Sequence, residues 1–269
     1  MTFDLGPALL FCPADRPERF AGALAKADAV ILDLEDAVLP AAKALARENI
    51  VAAELDPARV VVRVNDPASV EFAADLAAVS RTSFRNVMVA KSEDAAALDV
   101  FDESYAIIAL CETAAGVLHA ADIAAHPRTT ALMWGAEDLV ASIGGTASRF
   151  PDGRYRDVSR HARSAVLIAA AAHGKAAVDA VHLDIDDVAG LADEAADAVA
   201  SGFRATACIH PKQVATIRDA YRPDAATVEW ARAVLAAADG ERGVFRFDGR
   251  MVDEPVLRHV RAVLGAAGA

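Results

Sequence analysis

The sequence predicts a (β/α)8 barrel with a C-terminal helical extension, on three observations. Eight short apolar runs recur along the chain, and each closes on a polar or charged residue. Segments with helical spacing separate most of them. The 269 residues accommodate one such barrel of about 250 residues with a few tens left over, and no second full domain. An open, doubly wound sheet is the competing arrangement. Its glycine-rich first turn is missing, because the chain there reads Cys12-Pro-Ala-Asp-Arg-Pro-Glu-Arg19.

The elements follow in order. Ala8 to Pro13 is an apolar run fit for a strand buried on both faces, and Arg16 to Ala27 has the helix formers to cover it. Val30 to Asp36 ends on acids and precedes a helix over Ala41 to Glu54. Val60 to Asn65 precedes a helix over Ser69 to Ser80, and Asn86 to Lys91 makes the fourth strand. Ala106 to Glu112 is the fifth, with a helix over Ala114 to Ala125, and Ala131 to Asp138 is the sixth. The next connection opens with Ser142-Ile-Gly-Gly-Thr-Ala-Ser-Arg-Phe-Pro-Asp-Gly153, an irregular loop placed to cover substrate, and turns helical over Asp157 to Ala172. Ala177 to Ile185 and Ala205 to His210 are strands seven and eight, with helices over Gly190 to Ser201 and Pro211 to Tyr221. The barrel domain therefore spans 1–222. Residues 223–269 form a tail with a helix over Asp224 to Asp239, a last helix beyond Pro255, and no core of its own to join.

Bulk properties exclude several function classes. The chain is 55% hydrophobic but only 6% aromatic, so the core is built from Ala, Val, Leu and Ile. A net charge of -12 with no basic cluster repels a phosphate backbone, so no nucleic-acid partner is expected. No apolar stretch reaches the ~18 residues of a membrane span, and the first residues carry no basic signal-peptide region, so a cytoplasmic location without membrane attachment is expected. Cys12, Cys111 and Cys208 each fall inside a predicted strand without C-x-x-C spacing, which points to small core residues.

In a barrel of this TIM class, chemistry collects at the C-terminal strand ends. Glu112 and Asp138 close consecutive predicted strands, which lie roughly 5 Å apart when hydrogen-bonded, so both carboxylates can converge on one hard divalent ion. Two acids without nearby Cys or His favour Mg²⁺; the alternative is that each caps a helix or joins a surface ion pair. In Asp33-Leu-Glu35-Asp36, alternation sends Asp33 and Glu35 to one side and Asp36 to the other. Glu35 and Asp36 read either as acids holding metal-bound waters or as solvated loop acids.

Arg63, within Val60-Val-Val-Arg-Val-Asn65, offers a fork for a substrate carboxylate or a developing enolate oxygen. Its structural alternative is neutralising Asp33 or Glu35. Lys91 could form a Schiff base, but a salt bridge to nearby acids would raise its pKa and spoil it as a nucleophile, so a structural role is preferred. His182 and His210 lack a nucleophile partner and read as hydrogen-bonded core residues.

Seven strings, in order, carry a resemblance: Leu10-Phe-Cys-Pro-Ala-Asp-Arg-Pro-Glu-Arg-Phe20, Leu32-Asp-Leu-Glu-Asp-Ala-Val38, Val62-Arg-Val-Asn65, Leu110-Cys-Glu-Thr-Ala-Ala-Gly116, Trp134-Gly-Ala-Glu-Asp-Leu139, Cys208-Ile-His-Pro211 and Met251-Val-Asp253. Nearly the whole chain resembles the citrate lyase beta-subunit-like branch of the HpcH/HpaI aldolase family.

The resemblance implies a homotrimer or higher homo-oligomer that cleaves or forms a C–C bond in a 3-hydroxyacyl thioester with Mg²⁺ as cofactor. Acyl-CoA and a 2-keto acid are the small-molecule partners it implies, with citramalyl-CoA or malyl-CoA as substrate type. By the same resemblance Glu112 and Asp138 are metal ligands, Arg63 orients substrate, and Glu35 and Asp36 lie near the metal's waters. The Gly135-Ala136 backbone joins the keto-acid pocket, Arg16 and Lys43 lie near the CoA phosphates, and Asp253 enters the adjacent protomer's site as general acid or base. A malyl-CoA thioesterase and a non-catalytic scaffold subunit are the alternatives. No carrier-docking surface is evident, which favours free CoA thioesters over a carrier-bound substrate.

Overall fold

The computed structural model describes residues 3–241 and 243–267. Its strands β1 (Ala8–Pro13), β2 (Ala29–Asp33), β3 (Val60–Val64), β4 (Asn86–Val89), β5 (Ala106–Cys111), β6 (Thr129–Trp134), β7 (Ala176–Asp179) and β8 (Ala205–Cys208) pair in parallel in chain order. Pairing of β1 with β8 closes the barrel. Around it lie α1 (Phe20–Lys26), α2 (Lys43–Ala52), α3 (Phe72–Val79), α4 (Ala114–Leu118), α5 (Ala120–Ala125), α6 (Ala136–Ser142), α7 (Asp157–Ala172), α8 (Val188–Ser201) and α9 (Gln213–Tyr221). Between β4 and β5 a 3-10 segment, Ala95–Val100, takes the place of a helix.

The strands read as continuous apolar runs because both of their faces are buried. One set, including Leu9, Ile31, Val61, Met88, Ile108, Leu110, Met133 and Val178, fills the barrel interior. The alternate set, among them Leu10, Leu32, Val62, Leu132 and Trp134, is equally buried. The period of two then determines which functional side chains stand in the barrel mouth. Asp33 follows Ile31, Arg63 follows Val61 and Glu112 follows Leu110, so all three continue the interior rows.

Most strands stop short of their expected ends. β2 stops at Asp33 rather than Asp36, β6 at Trp134 rather than Asp138, and β7 at Asp179 rather than Ile185. The polar residues counted as strand ends lie in the turns beyond, where ladder pairing has ceased. The largest difference is α6, expected as strand. Gly135 is its N-cap residue, and Glu137 and Asp138 occupy its first turn, where the helix dipole favours acids. The segment after α6 is anchored: Ser148 Oγ donates to Glu137 at 2.5 Å, and Arg149, stacked 3.6 Å from the Tyr155 ring, pairs with Glu194 of α8.

The chain divides into two compact units, one ending at Arg218 and the other starting at Asp219, so the division falls within α9. The second unit contains α10 (Ala225–Ala238), a hairpin of β9 (Phe245–Phe247) and β10 (Arg250–Val252), and α11 (Glu254–Ala266). The hairpin turns at Asp248-Gly249, both with positive φ (44° and 78°), the Asp-Gly signature of a tight hairpin turn. The expectation that the tail lacks a core is corrected here. Ala231, Val234, Val252, Val260 and Val263 are buried together, with Trp230, Phe245 and Leu257 packed on them. Two amphipathic helices and a hairpin bury enough apolar surface among themselves to make a small cluster. Among the described residues no helix is long and apolar enough to cross a membrane.

Candidate active site

The mouth of the barrel gathers acids and bases from the ends of β2 to β6. Arg63 lies at its centre, with its side chain only 11% exposed. Its Nε and Nη2 donate to the two carboxylate oxygens of Asp33 at 2.7 and 2.5 Å. Its Nη1 lies 3.1 Å from Glu35 Oε2, and the guanidinium carbon sits 4.8 Å from the Phe11 ring centre. Burial alone would weaken this base, but the charges and hydrogen bonds of Asp33 and Glu35 outweigh it and raise its pKa. Of the two sequence readings of Arg63, this geometry shows the ion pairing: Asp33 holds one edge of the fork, and Nη1 remains on the side of Glu35.

The turn after β2 is built around Asp33. Its Oδ1 accepts from Glu35 N at 2.9 Å and its Oδ2 from Ala37 N at 3.3 Å. Because the strand has ended, alternation no longer separates Glu35 from Asp36, and the expectation that they diverge is corrected. Both reach Lys91, whose Nζ pairs with Glu35, lies 3.2 Å from Asp36, and lies 3.5 Å from Asp138. Burial pushes Glu35 above the usual carboxylate range, with Arg63 and Lys91 pulling the other way. For the exposed Asp36 burial also raises, but the Lys91 ammonium dominates and holds it low.

Lys91 itself is half-buried, which works against its charge, yet its acid neighbours raise its pKa well above the ordinary lysine value. A Schiff-base role is accordingly disfavoured. Its φ of +46° is rare for a residue with a side chain, and the backbone N–H in this conformation donates to Glu112 Oε1 at 3.1 Å.

Glu112 follows β5 directly and is buried. Cys111 pairs in register with Trp134, so the next residues, Glu112 and Gly135, lie side by side. A Cβ on Gly135 would stand 2.7 Å from Glu112 Oε2 and 2.9 Å from its Cβ, which is why glycine is required there. Behind Glu112, Thr113 caps α4 by accepting from Gly116 N at 3.0 Å. Burial, and then the nearby charge of Asp138, push the Glu112 carboxyl up to about 8. Asp33, Glu35, Asp36 and Asp138 all have basic partners, whereas Glu112 forms no ion pair among the described residues.

A buried carboxylate facing a second carboxylate, without a cation of its own, is the donor set that a hard divalent ion fits. Among the described residues no group of three or more His, Cys, Asp or Glu could hold a metal, so an ion here would take its remaining oxygens from water or substrate.

Arg16 is exposed, 3.9 Å from Asp15. Lys43 is buried, and its Nζ donates to Leu34 O, Glu35 O and Asn65 Oδ1 at 2.7, 2.9 and 2.8 Å. All three ammonium hydrogens are committed to these acceptors. Asp253 is the N-cap of α11, accepting from Val256 N at 3.4 Å. His182 lies between Glu194 (2.9 Å) and Asp187 (3.4 Å), and His210 Nδ1 accepts from Lys212 N at 3.2 Å. The three cysteines are buried and free. Asp33 is the residue the sequence undervalued; its place two residues after Ile31 in an interior row was the available signal.

Comparisons with known proteins bear on the family and the fold. The profile of the HpcH/HpaI aldolase/citrate lyase family matches residues 8–211. A citrate lyase subunit beta-like protein of Mycobacterium tuberculosis is 54% identical over 264 residues, 98% of this chain and 96% of that protein. The L-malyl-CoA/beta-methylmalyl-CoA lyase of Cereibacter sphaeroides is 32% identical over 313 residues, 99% of this chain and 98% of its own length. The crystal structure of CitE from M. tuberculosis in complex with magnesium, acetoacetate and coenzyme A superposes with a TM-score of 0.94 at 54% identity, covering 98% of this chain and 99% of that one.

Proposed function

The chain belongs to the HpcH/HpaI aldolase/citrate lyase family, and from that premise we propose that it is a Mg²⁺-dependent carbon–carbon lyase cleaving a 3-hydroxyacyl-CoA, such as citramalyl-CoA or malyl-CoA, to acetyl-CoA and a 2-keto acid. One observation carries the reading: Glu112 is buried, without a basic partner among the described residues, and pushed up to about 8 by burial and by Asp138. Glu112 and Asp138 are the residues that would hold the ion. When bound, Mg²⁺ supplies Lewis acidity toward the substrate's carboxylate and hydroxyl oxygens and eases loss of the hydroxyl proton.

The remaining work falls to side chains. C–C cleavage leaves negative charge on the thioester oxygen of the acetyl fragment. Arg63, pre-oriented by Asp33, offers the fixed positive donors that such an enolate requires. Glu35 and Asp36, on the adjoining turn, orient waters beside the ion. The Gly135-Ala136 backbone borders the keto-acid pocket, and Arg16 is the exposed base left for the CoA phosphates. In this reading Asp253 of a second copy supplies the general acid or base, within a homotrimer or higher homo-oligomer.

The test incubates the protein and Mg²⁺ with malyl-, citramalyl- and 3-hydroxy-3-methylglutaryl-CoA while keto acid and free thiol are followed separately. Keto acid without thiol is the expected result. Thiol without keto acid replaces the lyase with a thioesterase, and turnover of none of them despite Mg²⁺ binding makes the chain a scaffold.

A further inference from the structure

We infer that Lys43 is a positioning residue, gripping from behind the acidic turn that presents Glu35 and Asp36; the inference rests on the lyase reading above. Lys43 is the first residue of α2, where the positive end of the helix dipole disfavours a cation. It is also buried, where an ammonium must be fully hydrogen-bonded to be tolerated. Two of its three acceptors are the carbonyls of Leu34 and Glu35, the backbone of the turn itself.

The third acceptor ties the turn to the surface. Asn65 Oδ1 accepts from Lys43, while Asn65 Nδ2 donates to Leu34 O at 3.0 Å and to Asp75 Oδ2 at 2.6 Å. Asp75 is fully buried and accepts from Arg47 Nε at 2.7 Å, and Arg47 in turn pairs with Glu71. Two cations and two acids balance along this line, and every link is satisfied. An apolar side chain would hold α2 against the barrel without the dipole and desolvation penalties. What it could not do is fix two consecutive carbonyls. With these gripped from behind and Asp33 accepting Glu35 N, the Glu35 carboxylate is left to meet Arg63 at 3.1 Å and Lys91.

The test compares Lys43→Met and Lys43→Gln with the unaltered protein on two substrates, the CoA thioester and the matching pantetheine thioester, which lacks the nucleotide phosphates. Well below the melting temperature, Lys43→Met should lose about 10²-fold in kcat on both, with KM for the CoA thioester unchanged, as misplacement of an otherwise intact site predicts. Lys43→Gln, whose amide can still donate to two acceptors, should lose less. If Lys43→Met fails to fold, the Gln variant carries the comparison. Amide exchange at Leu34 to Ala37 should quicken in the variants whether or not the substrates turn over.

A loss confined to the CoA thioester and seen in KM would make Lys43 a phosphate ligand and overturn the proposal. So would unchanged kcat with a lowered melting temperature, or unchanged exchange at the turn. Failure of the unaltered protein on both thioesters would instead count against the lyase reading, and the exchange measurement would still decide the role of Lys43.

Discussion

Replacing Asp33 by Asn removes the charge behind Arg63 at nearly constant volume. Asp33 is fully buried and accepts four hydrogen bonds, two from Arg63 and one each from the backbone of Glu35 and Ala37. An amide has one oxygen, so whichever way it turns, its NH₂ faces two donors. Losing half of the bidentate contact costs about 1.5–3 kcal/mol. Leaving a buried guanidinium compensated mainly by Glu35 brings the total to about 3–5 kcal/mol. At about 2–4 °C per kcal/mol for a unit of this size, the barrel's melting temperature should fall by about 6–20 °C. On the proposed lyase reading turnover should fall by about 10²–10³-fold, because the fork assigned there to the developing oxyanion is no longer aimed. Calorimetry and steady-state kinetics on Asp33→Asn, Arg63→Met and the double variant measure both effects. The double variant should be less destabilised than the sum of the singles, since no uncompensated buried guanidinium remains. Additive destabilisation, or an Asp33→Asn protein that melts and turns over like the original, would refute the reasoning.

Mg²⁺ should raise the melting temperature of the unaltered protein by mass action, EDTA should abolish the shift and the activity, and Glu112→Gln should show no shift; a full shift in that variant would remove Glu112 from the metal site. Asp253→Asn and Glu112→Gln proteins, each inactive alone, should regain partial activity when co-assembled, and no recovery in verified mixed oligomers would confine Asp253 to capping α11. Burial pushes Cys12 up to about 11, and Cys111 and Cys208 up to about 12, so the thiols gain reactivity only as pH rises toward those values. At about pH 8 the thiolate fraction is then about 10⁻³ or less, and a disulfide reagent should titrate none in the folded protein and all after denaturation. Stoichiometric labelling of the folded protein would contradict that burial.

By itself the sequence determined the barrel and most of its catalytic candidates. Strands buried on both faces must be apolar throughout, so their number and order showed as eight runs, and α7, a helix of 16 residues between β6 and β7, appeared at its observed bounds, Asp157 to Ala172. Glu112 and Arg63 were legible because a period of two carries an interior row into the barrel mouth. Side-chain partners were not legible, because they depend on what neighbouring strands bring within 3 Å. Lys43 and Lys91 are both lysines beyond apolar runs, yet one is sealed behind the turn by carbonyls from just past β2 and an amide from just past β3, and the other stands half-buried among four acids. Only tertiary structure could also end β6 at Trp134 and begin a helix at Ala136. The run Leu132 to Leu139 holds apolar residues compatible with either period, and the contact of Gly135 with Glu112, a residue from another strand, favours the break there. The tail's core was hidden for the same reason: Ala231 and Val234 meet Val252, Val260 and Val263 only after the Asp248-Gly249 turn has folded the hairpin and brought α11 back against α10.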